Sequence, residues 1–496
     1  MNAEGGDVLL LDALLKGIEY TVMDGNIRVD ITGIAYDSRQ VQPGFLFVCI
    51  NGFKTDGHLY IKQAVEKGAK AVLVERTVHP LPNLTIIKTN NTRQALSVVA
   101  SNYYDKPSSN LRVIGITGTN GKTTTTHLIK AILEEAGSIT SIMGTLYARV
   151  GSKTMDFAHT TPEALEIERF LRISLDNCAR YAVMEVSSHA LDLYRVHAID
   201  FNVAAITNIT QDHLDYHKNM ENYKKSKQKL FAMLPKKEGN FAVVNVDDSN
   251  VLDFYRVAHT PVITYGINNE CNVRAVGIKT TLKGSNFSVY YNNDKVNIQM
   301  KLIGLFNVYN TLAAIAVGLG EGIKLDVIIR ALEKVEGVPG RFEKVDLGQD
   351  FTVVIDYAHT PDGLENTLRT GRQIAENRLL TVFGCGGDRD RGKRPLMGEV
   401  AARYSDFCVV TSDNPRSEDP LAIINDIKPG LDKVENSRYA IITDRKEAIR
   451  HALYLARKGD LVIIAGKGHE SYQLVKDKVL DFDDKLVATE LLKGLI

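Results

Sequence analysis

The chain has 496 residues, 44% of them hydrophobic and 24% charged, with 60 Lys and Arg balancing 60 Asp and Glu. That length exceeds one ordinary core and implies two to three domains of soluble globular type. The zero formal charge excludes general attraction to nucleic acid or an anionic membrane, so a phosphate-bearing ligand needs a local site.

The five cysteines (Cys49, Cys178, Cys271, Cys385, Cys408) form no C-x-x-C pair and read as reduced thiols in a reducing compartment. Residues 1–7 lack the basic segment of a signal peptide. No apolar stretch approaches the roughly 20 residues of a membrane span. A cytoplasmic protein without membrane insertion is expected.

Residues 1–107 alternate β-branched runs with helical patterns: strands at 31–36, 45–50, 71–75 and 84–88, helices at 61–68 and 92–104. Lys106-Pro107-Ser108-Ser109-Asn110 reads as a linker. A second block, 108–338, opens with a strand at 112–117 and a helix at 123–136, followed by strands at 181–186 and 201–206. The third block, 339–496, repeats strand then helix, with apolar runs at 352–355, 379–383, 407–411, 439–442 and 461–465. Each run ends in a polar or Gly-rich knot, as at Gly384-Cys385-Gly386-Gly387-Asp388 and Gly466-Lys467-Gly468-His469-Glu470. Open α/β sheets bind ligands at the carboxyl ends of their strands, so these knots mark a doubly wound binding domain.

The strongest motif is Gly118-Thr119-Asn120-Gly121-Lys122-Thr123-Thr124, set between a strand and a helix. Glycines let backbone N–H groups approach phosphate oxygens, and the helix N-terminus adds partial positive charge. Lys122 neutralises β/γ-phosphates and the Thr123 hydroxyl suits Mg²⁺. The loop has the short G-x-x-G-K-T shape, since Ile116 stands where the longer form has its first Gly. Glu185, at a strand end, is a plausible Mg²⁺ ligand from its position. His213 fits a ligand or a hydrogen-bonded structural residue. From the residues alone the reading stops at an Mg·ATP-using α/β enzyme.

Together these motifs resemble the Mur ligases of peptidoglycan synthesis, with folylpolyglutamate synthetases as relatives, over essentially the whole chain. Asp37-Ser38-Arg39, followed by Val41-Gln42-Pro43-Gly44, is similar to the family's uridine-nucleotide domain, which folylpolyglutamate synthetases lack. The resemblance implies three α/β domains: a UDP-substrate domain (1–107), a central P-loop ATPase domain with a mostly parallel sheet (108–338), and a Rossmann-like doubly wound amino-acid-binding domain (339–496). It implies a cytoplasmic, monomeric ligase that uses ATP with Mg²⁺ and joins a carboxylate to an amine through an acyl phosphate, releasing ADP and phosphate.

Within the family, His189-Ala190-Leu191, 213–217, 384–390 and 466–470 resemble the branch that adds the third residue of the peptide to UDP-N-acetylmuramoyl-dipeptide. Asp413-Asn414-Pro415-Arg416 resembles its meso-diaminopimelate version, in which the arginine pairs with the distal carboxylate that lysine lacks. An Arg fork holds a carboxylate bidentately, whereas a Pro-containing turn with a surface Arg is the plain alternative. The competing readings are a lysine-adding or other family member, a folylpolyglutamate synthetase, and a P-loop module that is no ligase.

The resemblance assigns roles residue by residue. Gly118, Thr119, Asn120, Gly121, Lys122, Thr123, Thr124, Asn307, Asn310, Arg341 and Asp356 match the ATP set; Asn307 and Asn310 also fit helix N-capping. Thr123, Glu185, His213 and Lys227 match the metal set, and Lys122, Glu185, His213 and Lys227 the catalytic one. Lys227 enters as a carbamylated lysine (N6-carboxylysine); the residues themselves show only a lysine-rich helix face. Ser38, Thr160, Thr161, Ser187 and Arg195 match the UDP-muramoyl-dipeptide set, with Leu193 departing from a Gln found in some relatives. Arg389, Asp413, Asn414, Pro415, Arg416, Gly466 and Glu470 match the diaminopimelate pocket. Closure of the third domain onto the ATP site is expected.

Overall fold

The computed structural model describes residues 8–53, 55–157, 159–292 and 294–495; residues 1–7, read above for targeting, lie outside them. Three main sheets appear in chain order. The first has five strands, ordered Thr21–Asp24, Thr85–Lys88, Ala71–Val74, Phe45–Val48, Gly33–Ala35, parallel except at the Thr21–Asp24 edge.

The second sheet has eleven strands. Its parallel core runs Thr140–Met143, Tyr181–Glu185, Arg112–Thr117, Phe201–Ile206, Phe241–Asn245, Val262–Gly266. Those strands are nearly continuous buried apolar runs because helices cover both faces. Connections leave Arg112–Thr117 toward one side and Phe201–Ile206 lies on the other, so the strand order reverses there and opens a crevice. The sheet then continues as an antiparallel meander, Val273–Thr281, Gly284–Tyr291 and Asp294–Met300.

Helix Lys122–Glu135 packs Leu128, Ile129, Ile132 and Leu133 into the core shared with helix Leu305–Gly320, whose Leu312, Ile315 and Val317 are fully buried. The third sheet is ordered Glu343–Val345, Thr352–Asp356, Leu461–Ala465, Leu379–Phe383, Phe407–Val410, Tyr439–Ile441, parallel after its first strand. Five of its strands end at the predicted knots. The segment read as a linker is different: Pro107–Asn110 forms a 3₁₀ turn with Pro107 and Ser108 buried, and Ser108 Oγ accepts from Asp200 N at 3.1 Å. Among the described residues no helix is long and apolar enough to cross a membrane.

Candidate active site

A cavity of about 420 Å³ lies over the crevice, between the phosphate loop and the strand ends of the third sheet. The loop needs its glycines for two reasons. Gly118 and Gly121 have φ of +142° and +86°, and a Cβ there would stand 1.9 Å from Thr207 Oγ1 and 2.2 Å from Asn310 Oδ1. Gly121 then opens helix Lys122–Glu135, whose N-terminus faces the cavity.

The loop's side chains are tied down. Lys122 Nζ donates to the carbonyls of Gly118 (2.9 Å) and Thr119 (2.8 Å). Lys227, fully buried, donates to the same Gly118 carbonyl at 2.7 Å and lies 4.6 Å from the Tyr223 ring. Burial, then the charge of Lys122, push the Lys227 ammonium well below its usual range; burial also lowers Lys122, against Glu185 and Asp212. Thr123 Oγ1 donates to Glu185 Oε2 at 3.1 Å, and Thr145 fixes the same carboxylate from N (2.9 Å) and Oγ1 (3.0 Å).

The third domain reaches into this loop. Arg341 Nη2 donates to Thr123 Oγ1 at 3.0 Å while its guanidinium stacks 4.3 Å from the Tyr357 ring. Asn120 Nδ2 donates to Asp362 Oδ2 at 2.8 Å. The hard oxygens of Thr123 and Glu185 fit a divalent cation such as Mg²⁺. Among the described residues no group of three or more His, Cys, Asp or Glu is assembled to hold a metal, so such an ion would draw its remaining ligands from phosphates and water. His213 lines the cavity with its Nε2 3.3 Å from Asp212 Oδ2, and burial lowers its imidazole to about 3, leaving it neutral.

A second cluster gathers at the strand ends beyond. Asn414 Nδ2 donates to Glu470 Oε2 (2.8 Å), and the fully buried Lys467 ammonium donates to Glu470 Oε2 (3.0 Å) and Asn414 Oδ1 (3.3 Å). Gly466, at φ +117°, leaves room for the Asp413 carboxylate, which a Cβ would meet at 2.6 Å. Arg416, half-buried at φ +51°, donates to the carbonyls of Gly387 (2.8 Å) and Asn414 (3.4 Å); Arg389 donates to that of Asp388. Burial, then the Arg389 charge, lower the Arg416 guanidinium. Both guanidiniums rest on carbonyls, with no carboxylate at ion-pair distance among the described residues.

Family models match along the chain in order: Mur ligase family, catalytic domain, at 30–104; Mur ligase middle domain at 116–318; and Mur ligase, glutamate ligase domain, at 340–468. The chain belongs to the Mur ligase family. Its relatives include a UDP-N-acetylmuramoyl-L-alanyl-D-glutamate--2,6-diaminopimelate ligase of Syntrophomonas wolfei, 60% identical over 97% of this chain and 99% of the relative. One of the same name from Caldanaerobacter subterraneus is 47% identical over 97% and 98%. A solved structure of a ligase of that name is 32% identical, covers 99% of both chains and superposes with a TM-score of 0.68.

Within this Mur ligase fold the candidate residues fall into groups. Gly121, Lys122, Thr123, Thr124, Asn310, Arg341, Asp356, Thr160, Ser187, Glu185 and His213 all face the cavity. Asn307 does not: it is 1% exposed, donates to Ile303 O at 2.8 Å and borders a separate cleft with Arg341. Neither asparagine caps, because Gly304 precedes the helix and both lie inside it. Asp356 lines the cavity but is engaged by Phe342 N, Ala358 N and Thr367 Oγ1. Thr161 and Arg195 are also committed. Thr161 donates to Glu185 O at 2.8 Å, and Arg195 binds Thr161 O and pairs with Glu163 at 2.8 Å. Ser38 is buried apart from the cavity, donating to Gln63 Oε1 at 2.7 Å.

Sequence reading missed Asp247 and Tyr309, joined at 2.8 Å on the cavity wall, and Asp362. Asp247 follows strand Phe241–Asn245, an apolar run ending in a polar knot, so the strand-end rule applied elsewhere would have found it.

Proposed function

We propose that this Mur ligase joins meso-diaminopimelate to the D-glutamyl γ-carboxylate of UDP-N-acetylmuramoyl-L-alanyl-D-glutamate, consuming ATP and releasing ADP and phosphate. One observation carries the reading: the phosphate loop opens onto the cavity, while two guanidiniums without carboxylate partners among the described residues sit on the loops that follow strands Leu379–Phe383 and Phe407–Val410 of the third sheet. The names of the relatives at 60% and 47% identity point to the same acceptor.

In this reading the loop amides and Lys122 grip the triphosphate, and Arg341 with Asn310 flank it. Thr123 and Glu185 hold Mg²⁺, which when bound neutralises charge developing on the phosphates. Ser38, Thr160, Ser187 and Arg195 orient the nucleotide-linked dipeptide so that its carboxylate attacks the γ-phosphate, forming an acyl phosphate and ADP. The acceptor amine then attacks the acyl carbon and phosphate leaves. Asp413, Asn414 and Glu470 orient the acceptor's amino-acid end while Arg416, with Arg389, receives the distal carboxylate. The family's cytoplasmic, monomeric form is proposed with it.

The test is ADP release with ATP, Mg²⁺ and UDP-muramoyl-dipeptide, offering meso-diaminopimelate or L-lysine. Turnover with the first and little with the second is expected. Equal rates overturn the acceptor assignment, and no ADP release with either overturns the ligase.

A further inference from the structure

Arg394 and Glu418 lie outside the site just described, yet both reach it. Helix Lys393–Tyr404 begins beneath the knot that follows strand Leu379–Phe383. Its second residue, Arg394, is 0% exposed, unusual for a side chain that hydrates so strongly. Its fork is spent on three separate segments. Nη2 donates to Glu418 Oε1 (2.7 Å) and Gly386 O (3.4 Å); Nη1 donates to Glu418 Oε2 (2.9 Å) and Asp426 Oδ2 (2.8 Å).

Glu418 carries the connection onward. Its Oε1 also accepts from Asp388 N at 2.6 Å, and the bond from Arg394 holds its carboxyl down at about 2, so it stays ionised. Asp388 in turn accepts from Ser417 at Oγ (2.6 Å) and N (3.2 Å). The 384–390 loop bearing Arg389 and the 413–418 loop bearing Arg416 are thus riveted together beneath their guanidiniums. Spacing between them is tight: a Cβ on Gly386 would stand 2.9 Å from Arg416 Nη1.

We propose that Arg394, acting through Glu418, is a positioning residue that sets the distance between Arg389 and Arg416 and thereby the selectivity for an acceptor with a distal carboxylate. Two like charges repel, and the Arg389 charge acts on the Arg416 guanidinium; the rivet holds their two loops together against that repulsion. A buried fork bound to two acids on different segments has the geometry for that task, and a lysine, a point charge, does not. The inference rests on the function proposed above.

The experiment uses the full chain with Arg394→Lys and Glu418→Gln. Initial rates are measured against meso-diaminopimelate, L-lysine, ATP and UDP-muramoyl-dipeptide in turn, with thermal unfolding alongside. For Arg394→Lys the KM for meso-diaminopimelate rises by about 10-fold or more, since small displacements of a positioned group are amplified in rate and binding. The KM values for ATP and UDP-muramoyl-dipeptide stay put, and the preference over L-lysine narrows. Glu418→Gln, which keeps the shape and the Asp426 partner, moves the same way by a smaller factor and serves if the first variant does not fold. An unchanged acceptor KM in a folded variant overturns the inference, as does a rise in all three KM values together with lost thermal stability. Wild-type protein that does not use meso-diaminopimelate overturns the function itself, a result visible before any variant is made.

Discussion

The ammonium groups of Lys122 and Lys227 end on one carbonyl oxygen, that of Gly118, at 2.9 and 2.7 Å. Two cations on one acceptor repel, and the fully buried Lys227 is the one driven further toward its neutral amine. A neutral amine is the form that adds CO₂ to become a carbamate, an anionic oxygen ligand, which removes the repulsion. With ¹³C-labelled bicarbonate, the protein should show a carbamate carbon resonance that fades on acidification and is absent from Lys227→Arg. A wild-type spectrum without it rejects the modified lysine.

Replacing Arg416 with Asn removes the fork while leaving the backbone bonds to Leu474 and Lys476 that hold the turn. A fall in kcat/KM for meso-diaminopimelate of about 100-fold is expected, roughly 3 kcal/mol of lost charge-assisted binding. Rates with L-lysine should change little. If both acceptors lose equally, the arginine supports structure and not choice.

Arg445 and Asp484 form an ion pair in which both side chains are 0% exposed, joined at 2.7 Å through Nε and Nη2. Asp484→Asn strands the guanidinium in the core behind Ala465, where an unpaired charge costs about 3–5 kcal/mol. The urea midpoint should drop accordingly. A midpoint within error of wild type would mean that solvent reaches the arginine.

Glu418 supplies a pH dependence with a definite sign. A carboxyl held at about 2 stabilises the fold above its unfolded value of about 4.5, and that contribution fades as pH falls through about 2. Its side chain is 22% exposed, so solvent screening trims the effect. The stability gap between wild type and Glu418→Gln should be level at neutral pH and close on acidification. A gap that widens in acid contradicts the assigned ion pair.

Much of this was legible in the chain. Strands Arg112–Thr117, Phe201–Ile206, Leu379–Phe383 and Leu461–Ala465 coincide with β-branched runs cut off by Gly or polar residues, a local signal that burial in a parallel sheet reinforces. The phosphate loop was legible because its spacing is itself the geometry. The meander at Val273–Met300 was not: its strands carry the alternation of half-buried strands, but Gly, Lys and Asn interrupt the apolar positions and blur it. Arg394 and Lys467 escaped notice for another reason. A buried cation carries the same letters as a surface one, and its distant partners, Glu418 at 24 positions from Arg394 and Asn414 at 53 from Lys467, meet it only after folding. Asn307 sits on a helix whose phase turns that side chain from the cavity, a placement that the motif's letters do not report.

Two bonds cross from the third domain to the phosphate loop: Arg341 to the Thr123 hydroxyl and Asp362 to the Asn120 amide. Both end on groups that a bound nucleotide and its ion would claim. Any ligand that takes the Thr123 oxygen competes with Arg341 for it, so occupancy of the loop and the seating of the domain above it draw on one free energy. A substitution at Asp362 therefore loosens a latch as well as altering the cavity wall, and nucleotide affinity shifts with the seating of the domain.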